Sequence, residues 1–164
     1  PKDWIFYLVD SKVQRNLRES AYNERFDQLQ KSEKILGVKN LGTVKLSFLK
    51  KNNFKDSTIY KRALHVVTEN QRVLDAKKYL INNNIKKFGE LMNLSHTSYS
   101  NDFEASTEDV DQIVNHSLKS GASGCRLTGG GFGGFTVSLI QKKDYDHWYN
   151  NMRKFYSEEK FFKV

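Results

Sequence analysis

The chain has 164 residues, 38% of them hydrophobic and 13% aromatic, which suits one domain with a real core or at most two small ones. No apolar run approaches the roughly 20 residues that a bilayer-spanning helix needs, so no membrane partner is expected. The formal net charge of +8 raises nucleic acid as a partner; yet the lysines come as scattered pairs (Lys50-Lys51, Lys77-Lys78, Lys86-Lys87, Lys142-Lys143) with acidic residues among them, the pattern of solvated faces rather than a nucleic-acid footprint.

The opening stretch "PKDWIFYLVD" has no initiator Met, and its apolar run extends only from Trp4 to Val9. It lacks the form of a signal peptide and reads as the interior of a longer protein. The run itself, short, continuous and rich in β-formers, predicts a buried strand over Trp4–Val9. Next, Leu17, Tyr22, Phe26, Leu29 and Leu36 recur at roughly helical spacing, and Gly37 supplies a stop. The stretch "LGTVKLSFLKKNNF" holds a short strand or is irregular; its pattern does not decide between them. The longest helix is expected over 59–81, where Ile59, Ala63, Val66, Val67, Val73, Leu74, Leu80 and Ile81 form an apolar stripe. Glu69 and Arg72 lie three apart on it, within pairing reach.

Ile85, Phe88, Leu91 and Met92 repeat the helical scheme. A further helix is announced by Ser106-x-x-Asp109, carries Val110, Ile113, Val114 and Leu118 on one face, and closes at Gly121. The period then changes: Phe135–Ile140 alternates as a strand does, Tyr145, Trp148, Met152 and Phe155 return to helical spacing, and "FFKV" suits a last strand. The expected fold is α+β, an antiparallel sheet covered by helices.

Cys125 is the single cysteine, so neither an internal disulfide nor a cysteine zinc cluster can form, and a reducing, cytoplasmic setting fits. It reads as a small strand residue rather than a nucleophile. His65 lies beside the long stripe and reads as a packed, hydrogen-bonded side chain. His96 sits at a helix end, where capping or exposure is the default. His116 and His147 have no partner at metal spacing. Glu108, Asp109 and Asp111 read as first-turn charges that offset the helix macrodipole.

The segment "CRLTGGGFGG", residues 125–134, concentrates five glycines in six positions. A dinucleotide-binding fingerprint needs its last glycine to open a helix, but Gly134 opens a strand. A phosphate-binding Walker loop needs Lys and Ser or Thr after its glycines, and Phe135-Thr136 stands there instead. What remains is a glycine-rich link between two strands: either a turn with bulges, or bare backbone that lets a ligand or another segment come close and can cradle an anion.

"SGCRLTGGGFGGFTVSLI" resembles the third motif of the GHMP small-molecule kinases, in its galactokinase form. Three more blocks agree in the same order: "VDSKVQRNLRESAYNERF", "RALHVVTENQRVLDA" and "FGELMNLSHTSYSNDFEASTEDVD". Phe135 and Phe26 depart from the family pattern, which often has a cysteine and a second basic residue at those places.

The resemblance implies that residues 1–164 form the C-terminal domain of a GHMP-type sugar kinase, with a ferredoxin-like sheet. The ATP-binding, Mg²⁺-binding and catalytic motifs of the N-terminal half are absent from this sequence. The implied reaction is ATP-dependent, Mg²⁺-assisted phosphorylation of galactose at its C1 hydroxyl. The alternatives are a non-catalytic sugar and ATP sensor, or a related kinase acting on N-acetylgalactosamine or mevalonate. The partners implied are galactose, ATP and the chain's own N-terminal domain, and the fragment is expected to be inactive alone.

Two elements carry over by position. Tyr22 matches the family tyrosine that contacts the sugar, a role that competes with its reading as a core aromatic beside Phe26. Thr128, Gly129, Gly130, Gly131, Phe132, Gly133 and Gly134 match the loop beside the nucleotide phosphates, where a Cβ at Gly131 is expected to intrude on the phosphate side. Arg126 could steer phosphate charge. No catalytic and no metal-binding residue is assigned within the chain.

Overall fold

A computed structural model describes residues 2–13 and 18–164. Strand β1 spans Trp4–Asp10, one residue beyond expectation. Helix α1 (Arg18–Leu36) follows and ends at Gly37, whose φ of +65° closes the helix. Leu17, placed on this helix by its spacing, lies outside the described residues. Where the sequence left a strand or irregular chain open, the structure forms a short 3-10 turn at Leu41–Thr43 and helix α2 (Leu46–Lys51). The Asn40 side chain accepts from Gly42 N and starts that turn, while Leu41 and Leu49 are buried against the long helix.

Helix α3 (Ser57–Ile81) is capped by Asp56, whose carboxylate accepts from the Thr58 and Ile59 amides. Only the first half of its apolar stripe is core: Ile59, Ala63 and Val67 are buried, whereas Val73, Leu74, Leu80 and Ile81 are exposed. Helix α4 (Ile85–Asn101) runs back along the sheet. Helix α5 (Glu108–Lys119) is capped by Thr107, whose hydroxyl accepts from Val110 N. Ser106, one residue earlier, is not the cap; its hydroxyl donates to Asp111. Strands β2 (Gly124–Thr128) and β3 (Phe135–Gln141) flank the glycine run, then α6 (Tyr145–Met152) and the short strand β4 (Phe161–Lys163) complete the chain.

The four strands order as β2-β3-β1-β4, each neighbour antiparallel. Alternation divides the side chains of β1 and β3 between two faces. On one face Val9 and Ile140 join Ile113 of α5 and Trp148 and Met152 of α6. On the other, Leu139, Phe6 and Val137 meet Ile85, Phe88 and Met92 of α4. A third cluster ties α1, α2 and α3 together through Leu36, Leu49, Ala63 and Val67. The fold is thus α+β, an antiparallel sheet with helices on it, as the sequence predicts.

Helix α4 approaches β2 so closely that no side chain fits between them. A Cβ on Gly124 would lie 2.6 Å from Gly89 O, and one on Gly89 would lie 2.6 Å from Ser123 O. This contact sets the height of β2, and therefore of the glycine run that leaves it. Cys125 is fully buried on β2; burial pushes its thiol pKa up, which makes it a packing residue and not a nucleophile.

Candidate functional site

The glycine run forms a tight excursion between β2 and β3, with no helix at Gly134: β3 begins at Phe135. Left-handed backbone recurs through it, at Gly129, Gly131, Phe132, Gly133 and Gly134, a sequence of conformations that only a glycine-dense segment can adopt at low cost. Its two halves face differently. Thr128, Gly129 and Gly130 are exposed, and nothing among the described residues lies within 4 Å of a Cβ placed on Gly129 or Gly130. Gly131 is buried; its Cβ would meet Ala105 O at 2.6 Å and the Tyr99 hydroxyl at 2.9 Å. The expectation that Gly131 points to the phosphate side is therefore corrected: it is pressed into its own domain, and Gly129 and Gly130 are the open positions.

Among the described residues, two backbone hydrogen bonds hold the run to segments outside β2 and β3. Phe132 N donates to Ala105 O at 2.7 Å, and Ser11 N donates to Gly134 O at 2.9 Å. Between the exposed half of the run and α1 lies a cleft of about 160 Å³ lined by Tyr22, Arg25, Phe26, Leu29, Tyr99, Phe103, Gly130 and Phe132. Tyr22 is 59% exposed and Phe26 53%. Neither is core, so the reading of Tyr22 as a packed aromatic beside Phe26 is corrected. The structure instead brings Tyr22 and the glycine run, more than a hundred residues apart in sequence, to one cleft.

The wall behind that cleft is built from arginines. Arg25, one turn after Tyr22, donates from Nε to Phe103 O at 2.7 Å and from Nη2 to Glu104 O at 2.8 Å, and its guanidinium lies 5.8 Å from the Phe132 ring centroid. Arg62 of α3, 1% exposed, donates to Gln28 Oε1, to Asp102 O and to Glu104 Oε2. Sequence reasoning assigned neither arginine a role. Arg62 carried a signal, since a cation sits where the buried stripe of α3 passes; Arg25 lies inside the quoted "AYNERF" block.

The sequence offers Arg126 as a phosphate-steering cation. It pairs instead with Glu69 at 3.1 Å, and Glu69 also takes Arg72 at 2.6 Å and the Ser95 hydroxyl. Burial opposes ionisation of Glu69, but these three donors hold its carboxyl below the usual range. This network borders a second, larger cavity of about 530 Å³, with Phe6, Val73, Leu80, Phe88 and Leu91 among its apolar lining.

His65, His96 and His116 are structural. His65 is buried, stacks on Phe103 and meets Ser98 Oγ through Nδ1 at 3.0 Å. Ser98 Oγ donates in turn to Asp102 Oδ2 at 2.7 Å, so the proton of a neutral His65 sits on Nδ1. Burial pushes the His65 pKa down to about 4. His96 is neither an exposed residue nor a cap, as had been expected: it is buried, with Nε2 3.1 Å from Asp111 Oδ1. Burial outweighs that carboxylate and lowers the His96 pKa. Asp111 is thus more than a first-turn charge, since it also accepts from Ser100 and Ser106. His116 bonds the Tyr156 hydroxyl at 2.7 Å. Among the described residues, no group of three or more His, Cys, Asp or Glu could hold a metal ion, and no helix is long and apolar enough to cross a membrane.

The family described as GHMP kinases, C terminal, matches residues 76–158, which include α4, α5, the glycine run and α6. The chain belongs to the GHMP kinases, as their C-terminal domain. Within that family it is similar to galactokinases. The galactokinase of Actinobacillus succinogenes is 41% identical over 152 residues, 89% of this chain and 40% of the relative. That of Lacticaseibacillus casei is 34% identical over 164 residues, 96% of this chain and 42% of the relative.

A galactokinase from Lactococcus lactis, solved in complex with galactose, superposes with a TM-score of 0.90 at 31% identity, over 98% of this chain and 45% of that one. A mevalonate kinase from L. major shares the fold alone, at a TM-score of 0.63 and 16% identity over 98% of this chain and 41% of that one. This GHMP-kinase domain spans about two fifths of the length of the curated relatives it matches.

Proposed function

We propose that this domain forms part of a galactokinase, an enzyme that phosphorylates galactose at its C1 hydroxyl with ATP. The observation that carries the reading is the shared cleft of Tyr22 and Gly130, added to the similarity to galactokinases. In the transfer, the C1 oxygen bonds to the γ-phosphorus, the bond from that phosphorus to the β,γ-bridging oxygen breaks, and ADP leaves with the electron pair. The hydroxyl proton passes to a base outside this domain.

Such a transfer rests on positioning and charge stabilisation. The exposed backbone at Gly129 and Gly130, with free space where side chains would stand, suits close approach to a phosphate held elsewhere. Magnesium, which neutralises charge on the phosphates, would take its ligands from the N-terminal portion of the kinase. Tyr22 offers a hydroxyl on a flat apolar ring, a combination that fits the polar rim and the C–H face of a sugar. With the nucleotide loop and catalytic base lying elsewhere, residues 1–164 alone would not turn over, and a cytoplasmic enzyme is the natural setting.

The test is an ADP-release assay of the intact polypeptide with galactose, N-acetylgalactosamine and mevalonate. Galactose should be the preferred acceptor, with product identified as the 1-phosphate. Tyr22→Phe should raise the galactose KM by about fivefold, the loss expected for one hydrogen bond, and leave the ATP KM unchanged. Sugar and ATP binding without ADP release would point to a sensor, and preference for another acceptor would overturn the galactose assignment.

A further inference from the structure

The cleft depends on a segment that lines it only at Phe103. Residues 102–105 run beneath the glycine run, and each backbone carbonyl in the segment is gripped. Asp102 O accepts from Arg62, Phe103 O and Glu104 O accept from Arg25, and Ala105 O accepts from Phe132 N. Ala105 is fully buried, and Gly131 rests on it. Glu104 holds a left-handed backbone at φ +52° without being glycine, a conformation that persists only where its surroundings impose it. What imposes it here is its own carboxylate, which receives Arg62 Nη2 at 2.6 Å, together with the Arg25 fork on its carbonyl.

We propose that Glu104 is a positioning residue. Clamped by Arg62 and Arg25, it fixes Ala105, and through Ala105 O it sets the height of Phe132 and of the exposed Gly129-Gly130 tip relative to Tyr22. Glu104 is not among the residues lining the cleft, so it acts through the loop and not on a ligand. The sugar side of the cleft has its own anchor, because α1 is held to α3 by Ser32 Oγ donating to Ile59 O at 3.1 Å and by buried Leu36. Loosening the Glu104 carboxylate therefore frees Ala105 and the loop first, while the Arg25 bonds to the Phe103 and Glu104 carbonyls still hold α1 beside Tyr22. The inference rests on the galactokinase reading for its kinetic part only.

The experiment compares Glu104→Asn with Glu104→Gln in the intact polypeptide. Asparagine tolerates left-handed backbone, so the turn survives, but its shorter side chain cannot span the distance to Arg62. Glutamine keeps both the reach and an acceptor oxygen. In Glu104→Asn the Phe132 amide should exchange with solvent about tenfold faster, while the amides of Val9 and Ile140 in the sheet keep their protection.

Its kcat should fall about tenfold, as small misplacement of an orienting group does, with the galactose KM within about twofold of wild type. Glu104→Gln, whose amide oxygen can still receive Arg62, should keep Phe132 protection and kcat near wild type even though the lost charge lowers overall stability. Unchanged Phe132 protection, or equal loss of protection across β1 and β3, overturns the proposal, as does an unchanged kcat in an active enzyme. If the wild-type polypeptide phosphorylates no galactose, the kinase reading fails, while the exchange comparison still decides the role of Glu104.

Discussion

Gly130 and Gly131 are neighbours with opposite surroundings. Gly130 has no positive φ, and its Cβ would meet open space; Gly131 has φ +89°, and its Cβ would strike a backbone carbonyl. The two substitutions therefore separate folding from function. Gly131→Ala should destabilise the domain by about 2 kcal/mol or more, through backbone strain and the clash together, read as a lower urea midpoint. Gly130→Val should leave the unfolding free energy within about 0.5 kcal/mol of wild type while reducing kcat in the intact polypeptide. Full activity in a folded Gly130→Val variant would reduce the run to a turn. A sequence shows five glycines and no means of telling which one faces inward; that depends on Ala105 and Tyr99, which arrive from another part of the chain. Tyr22 was ambiguous for a similar reason, because helical spacing with Phe26 defines a face without saying whether anything covers it.

At the scale of elements, the sequence predicted most of the helices and strands correctly, because hydrophobic period and stop signals are local. Gly37, Gly121 and the switch to alternation at Phe135 each mark a boundary that the structure keeps. The misses are also physical. The 3-10 turn and the six-residue helix between α1 and α3 are too short to display a period. Ser106 and Thr107 are both competent caps, and the choice between them is made by Asp111, which takes the Ser106 hydroxyl.

The apolar stripe of α3 is continuous in sequence, yet only its first half meets α1 and α2. The contact between Gly89 and Gly124 left no distinctive trace in the pattern, although it leaves no room for a side chain between α4 and β2. Gly124→Ala should separate α4 from β2 at a cost of about 3 kcal/mol, the range of a strained overpacking change. Urea unfolding at constant m-value would check it.

For the whole molecule, four sequence blocks were enough to give the family and its layered fold, while the cleft was legible only in part. Its two named elements could be listed from the blocks, but the arginine-held segment joining them could not, since Arg25 and Arg62 reach backbone carbonyls that no side-chain pattern encodes. Acid should affect the molecule through its buried histidines. His65 and His96 are both held neutral by burial, so on lowering the pH the unfolded chain takes up protons before the native one does. Stability is then complete above about pH 6.5 and falls as pH drops toward the folded-state values. For His65, with its pKa pushed down to about 4, the loss is about 2 kcal/mol by pH 5. A urea midpoint that declines from pH 7 to pH 5, with a shallower decline in His65→Gln, is the expected result. An unchanged slope in that variant would mean that His65 is not the group responsible.

The placement of β1 has a further consequence. It lies between β3 and β4 in the sheet, yet both partners come at the far end of the sequence, Trp4 pairing with Gln141 and Leu8 with Phe162. On the ribosome, this ribbon of aromatic and branched residues emerges well ahead of either neighbour. Closing loops of this length makes assembly slow and leaves the newborn segment prone to sticking to other chains. Among these residues, one of the earliest stretches translated becomes one of the last to be enclosed, and anything that holds it meanwhile, whether a chaperone or an upstream part of the same polypeptide, governs the yield of folded protein.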